Sequence, residues 1–125
     1  MTKVLVVEDE ESLCRLYKEE LEEEGYEVMV AKNGHDAMEL FENQHPDLVT
    51  LDIIMPESPG GNPQKDTGLS LLRRMKAQRP EMCIILSTAY EEFMSDFQSW
   101  ASDAFIVKSS DLAELKSAIS RCIKK

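Results

Sequence analysis

The hydrophobic positions along the chain change period repeatedly. Val4-Leu5-Val6-Val7 is a short continuous apolar run rich in β-branched residues, the pattern of a strand buried on both faces of a parallel sheet. From Glu11 to Glu24 the spacing becomes helical, with Leu13, Tyr17 and Leu21 one turn apart, and Gly25 supplies a left-handed stop. Tyr26 to Val30 predicts a second strand. Asn33 caps a second helix, whose apolar face is Ala37, Met38, Leu40 and Phe41, and Pro46 closes that region. Leu48 to Leu51 predicts a third strand. Residues 57–66, with Pro59-Gly60-Gly61-Asn62-Pro63, suit neither helix nor strand. Helical spacing resumes from Gly68 to Ala77, with Leu69, Leu72 and Met75 inward. Cys83 to Ser87 reads as a fourth strand, and Glu91 to Ala101 as a weaker helix with Phe93, Phe97 and Trp100 on one side. Phe105 to Val107 reads as a fifth strand. Asp111 and Glu114 form a capping box for a last helix to about Lys124, its buried face marked by Leu112, Leu115, Ile119 and Ile123.

Strands and helices thus alternate five times. That alternation predicts an α/β three-layer sandwich around a parallel five-stranded sheet with right-handed crossovers, as one domain over residues 1–125. In open parallel sheets, sites form beyond the carboxyl ends of the strands. The first strand runs into Glu8-Asp9, the third into Asp52, the fourth into Ser87-Thr88 and the fifth into Lys108, whereas the second ends in the inert Ala31. In a flavodoxin-like order 2-1-3-4-5 the second strand is at the edge, so the inert end is the one farthest from the predicted site.

Three carboxylates in one cleft need a cation to remain ionised together. An all-oxygen donor set without histidine or thiolate favours Mg²⁺. The Thr88 hydroxyl and the Lys108 ammonium suit a tetrahedral oxyanion, and charge on three equatorial oxygens is what a carboxylate attacking phosphorus must neutralise. The chemistry indicated is phosphoryl transfer to an aspartate.

Charge narrows the partners. With 24 acidic and 14 basic side chains the formal charge is −10, which repels nucleic-acid backbones and anionic lipid. Basic or amphipathic protein partners suit it better, and the acidic run Glu19 to Glu24 reads as a solvated helix face. No apolar run approaches membrane-spanning length, and the N-terminus lacks signal-peptide architecture. Cys14, Cys83 and Cys122 are widely spaced, form no CxxC, and lie at no zinc-ligand spacing from His35 or His45. They read as free thiols in a reducing cytoplasm.

Four segments together resemble the response regulator receiver family of two-component signalling: Val4-Leu5-Val6-Val7-Glu8-Asp9-Glu10, Leu51-Asp52-Ile53-Ile54-Met55-Pro56, Leu86-Ser87-Thr88-Ala89 and Phe105-Ile106-Val107-Lys108. The resemblance covers essentially the whole chain. It implies that Asp52 accepts a phosphoryl group from a phosphohistidine on a sensor histidine kinase or phosphotransfer protein. It further implies that Asp9, Glu8, Asp52 and the Ile54 backbone carbonyl hold Mg²⁺ or Mn²⁺, with Glu8 acting directly or through water. Lys108 and Thr88 would contact the phosphoryl group, Ala89 would leave room for the donor, and Phe105 would turn inward when Thr88 moves. Ile54 and Tyr90 stand where receivers tune phosphate lifetime; both are bulky and suggest slow loss of phosphate. The domain would catalyse only its own phosphorylation and dephosphorylation. An output domain or a second copy would use the face of the fourth helix, fifth strand and fifth helix.

Two features depart from the family. Ser109 follows Lys108 where a proline with a cis bond is usual, and a cis bond before a non-proline residue costs ~2.5–4 kcal/mol. Gly68 stands twelve residues past Pro56 where four is common, an excess of eight. The extra segment, about 57–67, reads either as a mobile loop or as a lid beside the site. A haloacid-dehalogenase-type phosphatase would need an acid at position 54, where isoleucine stands. A pseudo-receiver would not be expected to keep Glu8, Asp9, Asp52, Thr88 and Lys108 together.

Overall fold

The computed structural model describes residues 1–64, 66–89, 103–108 and 112–123. Its elements run β1 (Lys3–Val7), α1 (Glu11–Glu23), β2 (Glu27–Ala31), α2 (Gly34–Gln44), β3 (Leu48–Asp52), β4 (Met55–Pro56), β5 (Pro63–Gln64), α3 (Thr67–Gln78), β6 (Cys83–Thr88), β7 (Ala104–Val107) and α4 (Ala113–Ile123). The main sheet has five strands in the order β2-β1-β3-β6-β7, all parallel. Counting the main-sheet strands alone, this is the expected 2-1-3-4-5.

Two-residue alternation along the strands divides the core in two. Leu5, Val7, Val49, Leu51, Ile84 and Leu86 face Phe41 of α2 and Leu71, Leu72 and Met75 of α3. Val4, Val6, Leu48, Ile85 and Ile106 face Tyr17 and Leu21 of α1 and Leu115, Ala118 and Ile119 of α4. Each central strand is therefore apolar at nearly every position, because both of its faces are covered. The result is the expected three layers.

Local signals set two of the helix ends. The Asn33 side chain accepts the Asp36 N–H at 2.8 Å, capping α2. Gly25 takes a φ of +94°, and its N–H reaches the Glu22 carbonyl at 3.0 Å, stopping α1. Among the described residues, no helix is long and apolar enough to cross a membrane.

Three expectations change. Residues 55–64 form a small antiparallel hairpin, with Met55 opposite Gln64 and Pro56 opposite Pro63. Prolines are tolerated there because a two-stranded ribbon is all edge. Ile123 is 38% exposed, and Ala118 takes the buried place on α4. Cys83 and Cys122 are joined in a disulfide, with Cα atoms 6.2 Å apart, and only Cys14 remains free. Nothing in the cysteine spacing signals that pair. It arises because the end of α4 packs over the start of β6. The predicted helix over 91–101, the Asp111 cap, the Lys108–Ser109 bond and the Tyr90 position lie outside the described residues.

The disulfide closes a span of 39 residues, so reduction should lower unfolding stability by about 2–4 kcal/mol. Denaturant titrations with and without dithiothreitol measure this, and Cys122→Ser should abolish the response to reductant. A wild-type midpoint indifferent to reductant would contradict the pairing.

Candidate functional site

The carboxyl ends of β1, β3, β6 and β7 meet around a cavity of about 280 Å³. Glu8, Asp9, Glu10 and Asp52 form its acidic wall, Lys108 reaches in from the end of β7, and Ile54, Pro63 and Ala89 supply its apolar lining. Parallel pairing aligns these ends: Val7 is in register with Leu51, Asp52 with Ser87, and Thr88 with Val107. The Lys108 N–H donates to the Thr88 carbonyl at 2.7 Å, fixing the lysine where β7 leaves the sheet.

Each acidic group is held by its own chain. Glu8 extends β1 by donating its N–H to the Ala31 carbonyl at 2.9 Å, and its carboxylate accepts the Glu10 N–H at 3.1 Å. Its carbonyl accepts the Cys14 thiol at 3.0 Å. Burial pushes that thiol up to about 11, which keeps it a neutral donor. Asp52 ends β3 against the start of α3. There Gly68 donates its N–H to the Ile53 carbonyl at 2.9 Å, and a Cβ on Gly68 would stand 2.3 Å from the Asp52 carbonyl oxygen. The glycine twelve residues past Pro56 thus makes a close backbone approach to the end of β3.

Charges converge on Lys108. Its ammonium donates to Asp52 at 3.0 Å and pairs with Glu8. Burial would lower the lysine pKa, but the Asp52 and Glu8 carboxylates outweigh it and hold the ammonium charged. Burial, together with repulsion from Asp52, pushes Glu8 up to about 7 despite the lysine. Burial likewise raises Asp52 against the pull of Lys108. One ammonium is not enough for these acids. Carboxylate oxygens of Glu8, Asp9 and Asp52 all lie within 4.8 Å of one another. That close, all-oxygen set fits a hard divalent cation such as Mg²⁺.

The remaining candidates fall less evenly. Ile54 and Ala89 line the cavity. Thr88 is wholly buried at the end of β6, so Ala89 rather than Thr88 lines the opening. Phe105 is half-buried, opposite Leu86, against the core cluster of α2 and α3. Three partners escaped the sequence reading. Pro63 lines the cavity from the hairpin. Glu8 shares Lys108 with Asp52. Tyr17 is buried on α1, and burial raises its phenol pKa against a lowering contribution from Ser87. Of these only Pro63 had a signal, the unusual length of its segment.

Comparison with known proteins agrees with this geometry. The family model for the response regulator receiver domain matches residues 4–120. The chain is similar to response regulator protein TrrA from Thermotoga maritima, solved in complex with Mg(2+)-BeF: identity is 41%, coverage 98% of this chain and 99% of that one, and TM-score 0.85. TrrA in complex with histidine kinase ThkA matches with the same identity and coverage, at a TM-score of 0.82. Regulatory protein AtoC of Escherichia coli is 31% identical over 99% of this chain. The chain spans 26% of AtoC and 23–54% of several further curated relatives.

Two predictions follow from the local packing and charge. Gly68→Ala should cost about 2 kcal/mol or more, since both neighbours are backbone and cannot yield; a denaturation midpoint within error of wild type would oppose this. For Glu8, burial pushes the folded carboxyl up to about 7, whereas an ordinary glutamate carboxyl stands at 4.5. Between those values the folded state binds more protons, so stability falls as pH rises. The metal-free protein should show that decline in melting temperature across the window, Glu8→Gln should flatten it, and Mg²⁺ should offset it at the upper end. A wild-type melting temperature that climbs across the same window would refute the assignment.

Proposed function

This chain belongs to the response regulator receiver family, and on that footing we propose that it accepts a phosphoryl group on Asp52 from the phosphohistidine of a sensor histidine kinase or phosphotransfer protein. The observation that carries this reading is the convergence of Asp52, Lys108, Glu8 and Asp9 on one cavity at the strand ends. An Asp52 carboxylate oxygen attacks phosphorus, the P–N bond breaks, and the imidazole leaves with its electron pair and takes up a proton. Lys108, already 3.0 Å from Asp52, supports the carboxylate before transfer and a phosphoryl oxygen after it. Glu8, Asp9, Asp52 and the Ile54 backbone carbonyl are the proposed ligands of Mg²⁺ or Mn²⁺. When bound, that cation supplies positive charge to the phosphoryl oxygens and keeps the acids ionised. Ala89 leaves the mouth open to a donor imidazole.

Phosphate on Asp52 would draw the Thr88 hydroxyl toward it and vacate space for Phe105, the proposed switch. Phe105 sits half-buried beside the core. Like other receivers, the chain is no enzyme with an external substrate; it catalyses changes at its own aspartate. An output domain or a second copy of the chain would read the switch through the fourth helix of the receiver fold, β7 and α4. TrrA, in its complex with ThkA, is a precedent for the kinase partner. The net charge of −10 weighs against direct nucleic-acid binding by this segment. The proposed setting is the cytoplasm, where the Cys83–Cys122 pair is open to reduction.

Incubation with acetyl phosphate and Mg²⁺ tests the reading. Wild type should gain one phosphoryl group by intact mass, removable by hydroxylamine, and Asp52→Asn should gain none. Labelling that persists in Asp52→Asn, or a wild type that never labels, would sink it.

A further inference from the structure

The lengthened β3–α3 segment is an ordered hairpin that is tied down on two sides. The Glu57 carbonyl accepts the His35 N–H at 2.8 Å, using a free donor in the first turn of α2. The Glu57 carboxylate pairs with Arg74 of α3 at 2.9 Å. Gly34 lets the hairpin lie this close, since a Cβ there would stand 3.0 Å from a Glu57 carboxylate oxygen. At the tip, Gly61 donates to the Ser58 carbonyl at 3.0 Å, and Gly60 takes a φ of +75°. The segment therefore holds its return strand at a defined place over the sheet.

Pro63, on that return strand, borders two spaces. One is the phosphoacceptor cavity, with Asp52, Ile54 and Lys108. The other is a wider open cleft of about 650 Å³ between the hairpin and the start of α2, lined by Lys32, Asn33, Asp36, Pro56 and Gly60. Among the described residues, only Asp9 and Pro63 line both. Asp9 belongs to the proposed metal cluster. Pro63 is thus, among the described residues, the one shared wall residue with no role in that chemistry. Its ring offers water neither a hydrogen-bond donor nor an acceptor, and its fixed φ stiffens the wall.

We propose that Pro63 is a partition between the outer cleft and the phosphoacceptor cavity, and that it lengthens the life of the phosphoryl group by restricting the approach of water. This rests on Asp52 being the phosphorylated residue. Hydrolysis needs a water oxygen to form a bond to phosphorus opposite the Asp52 oxygen. The P–O bond to Asp52 breaks, its electron pair returns to the carboxylate, and the water proton passes to the released phosphate or to solvent. Ile54, Pro63 and Ala89, the apolar part of the cavity lining, offer that water no side-chain hydrogen bond on their side. Removing the ring joins the two spaces and opens a second route of entry.

The test follows loss of phosphate from acetyl phosphate-labelled protein after the donor is removed, in Mg²⁺. Pro63→Gly should lose its label about three- to tenfold faster than wild type, while Mg²⁺ affinity by calorimetry stays within about twofold. Pro59→Ala, in the same hairpin but outside the phosphoacceptor cavity, should decay at the wild-type rate. Where Pro63→Gly does not give a cooperatively melting protein, Pro63→Ala is judged by the same criterion. An unchanged decay for the Pro63 variant, or equal acceleration by Pro59→Ala, overturns the partition. A wild type that never labels at Asp52 fails the proposed function instead.

Discussion

Among the described residues, Lys108 is the one cation paired with both buried acids, Glu8 and Asp52. Everything else at the site is arranged around that shortage of positive charge. Desolvation pushes both acids up, with repulsion from Asp52 added at Glu8 and from Asp9 at Asp52, and Lys108 offsets only part of it. With Asp9 added, the cluster carries more negative charge than the chain neutralises by itself. Such a site is poised for a divalent cation and then for a group with transferable charge. The lysine is also the group best placed to sense a change at Asp52, because it joins the end of β7 to the end of β3.

The parallel sheet makes this juxtaposition possible. Strands that all point one way deliver their last residues to one edge, and in the order β2-β1-β3-β6-β7 the chemically active ends stand side by side. Helices on both faces keep the strands apolar, so polar residues can gather only where the strands stop. The site is therefore both buried and acidic, a combination the fold sustains through backbone contacts such as Gly68 against Asp52. The hairpin over residues 55–64 adds to that frame without disturbing it. It is pinned to α2 and α3 through Glu57, and it brings Pro63 to the cavity from outside the sheet.

Much of the fold was legible because it rests on local, periodic signals. Continuous apolar runs and helical periods located the main-sheet strands and the described helices, and Asn33 and Gly25 marked helix ends that the structure keeps. The hairpin was not legible. Its strands have two residues each, too short for any period, and its prolines and glycines argue against regular structure. Ile123 was misplaced because helical spacing continues to the end of α4 after the sheet beneath it has run out.

The sequence by itself determined that Glu8, Asp9, Asp52, Thr88 and Lys108 stand at strand ends, because each lies next to an apolar run that sets its place. Tertiary structure alone decided which groups touch. Lys108 meets Glu8 across 100 positions of sequence, Cys83 meets Cys122 across 39, and Pro63 meets the cavity of Asp52 through a folded hairpin. No local pattern encodes such contacts. They depend on where the crossovers bring distant strand and helix ends, which the register of the sheet and the packing of its two faces fix together.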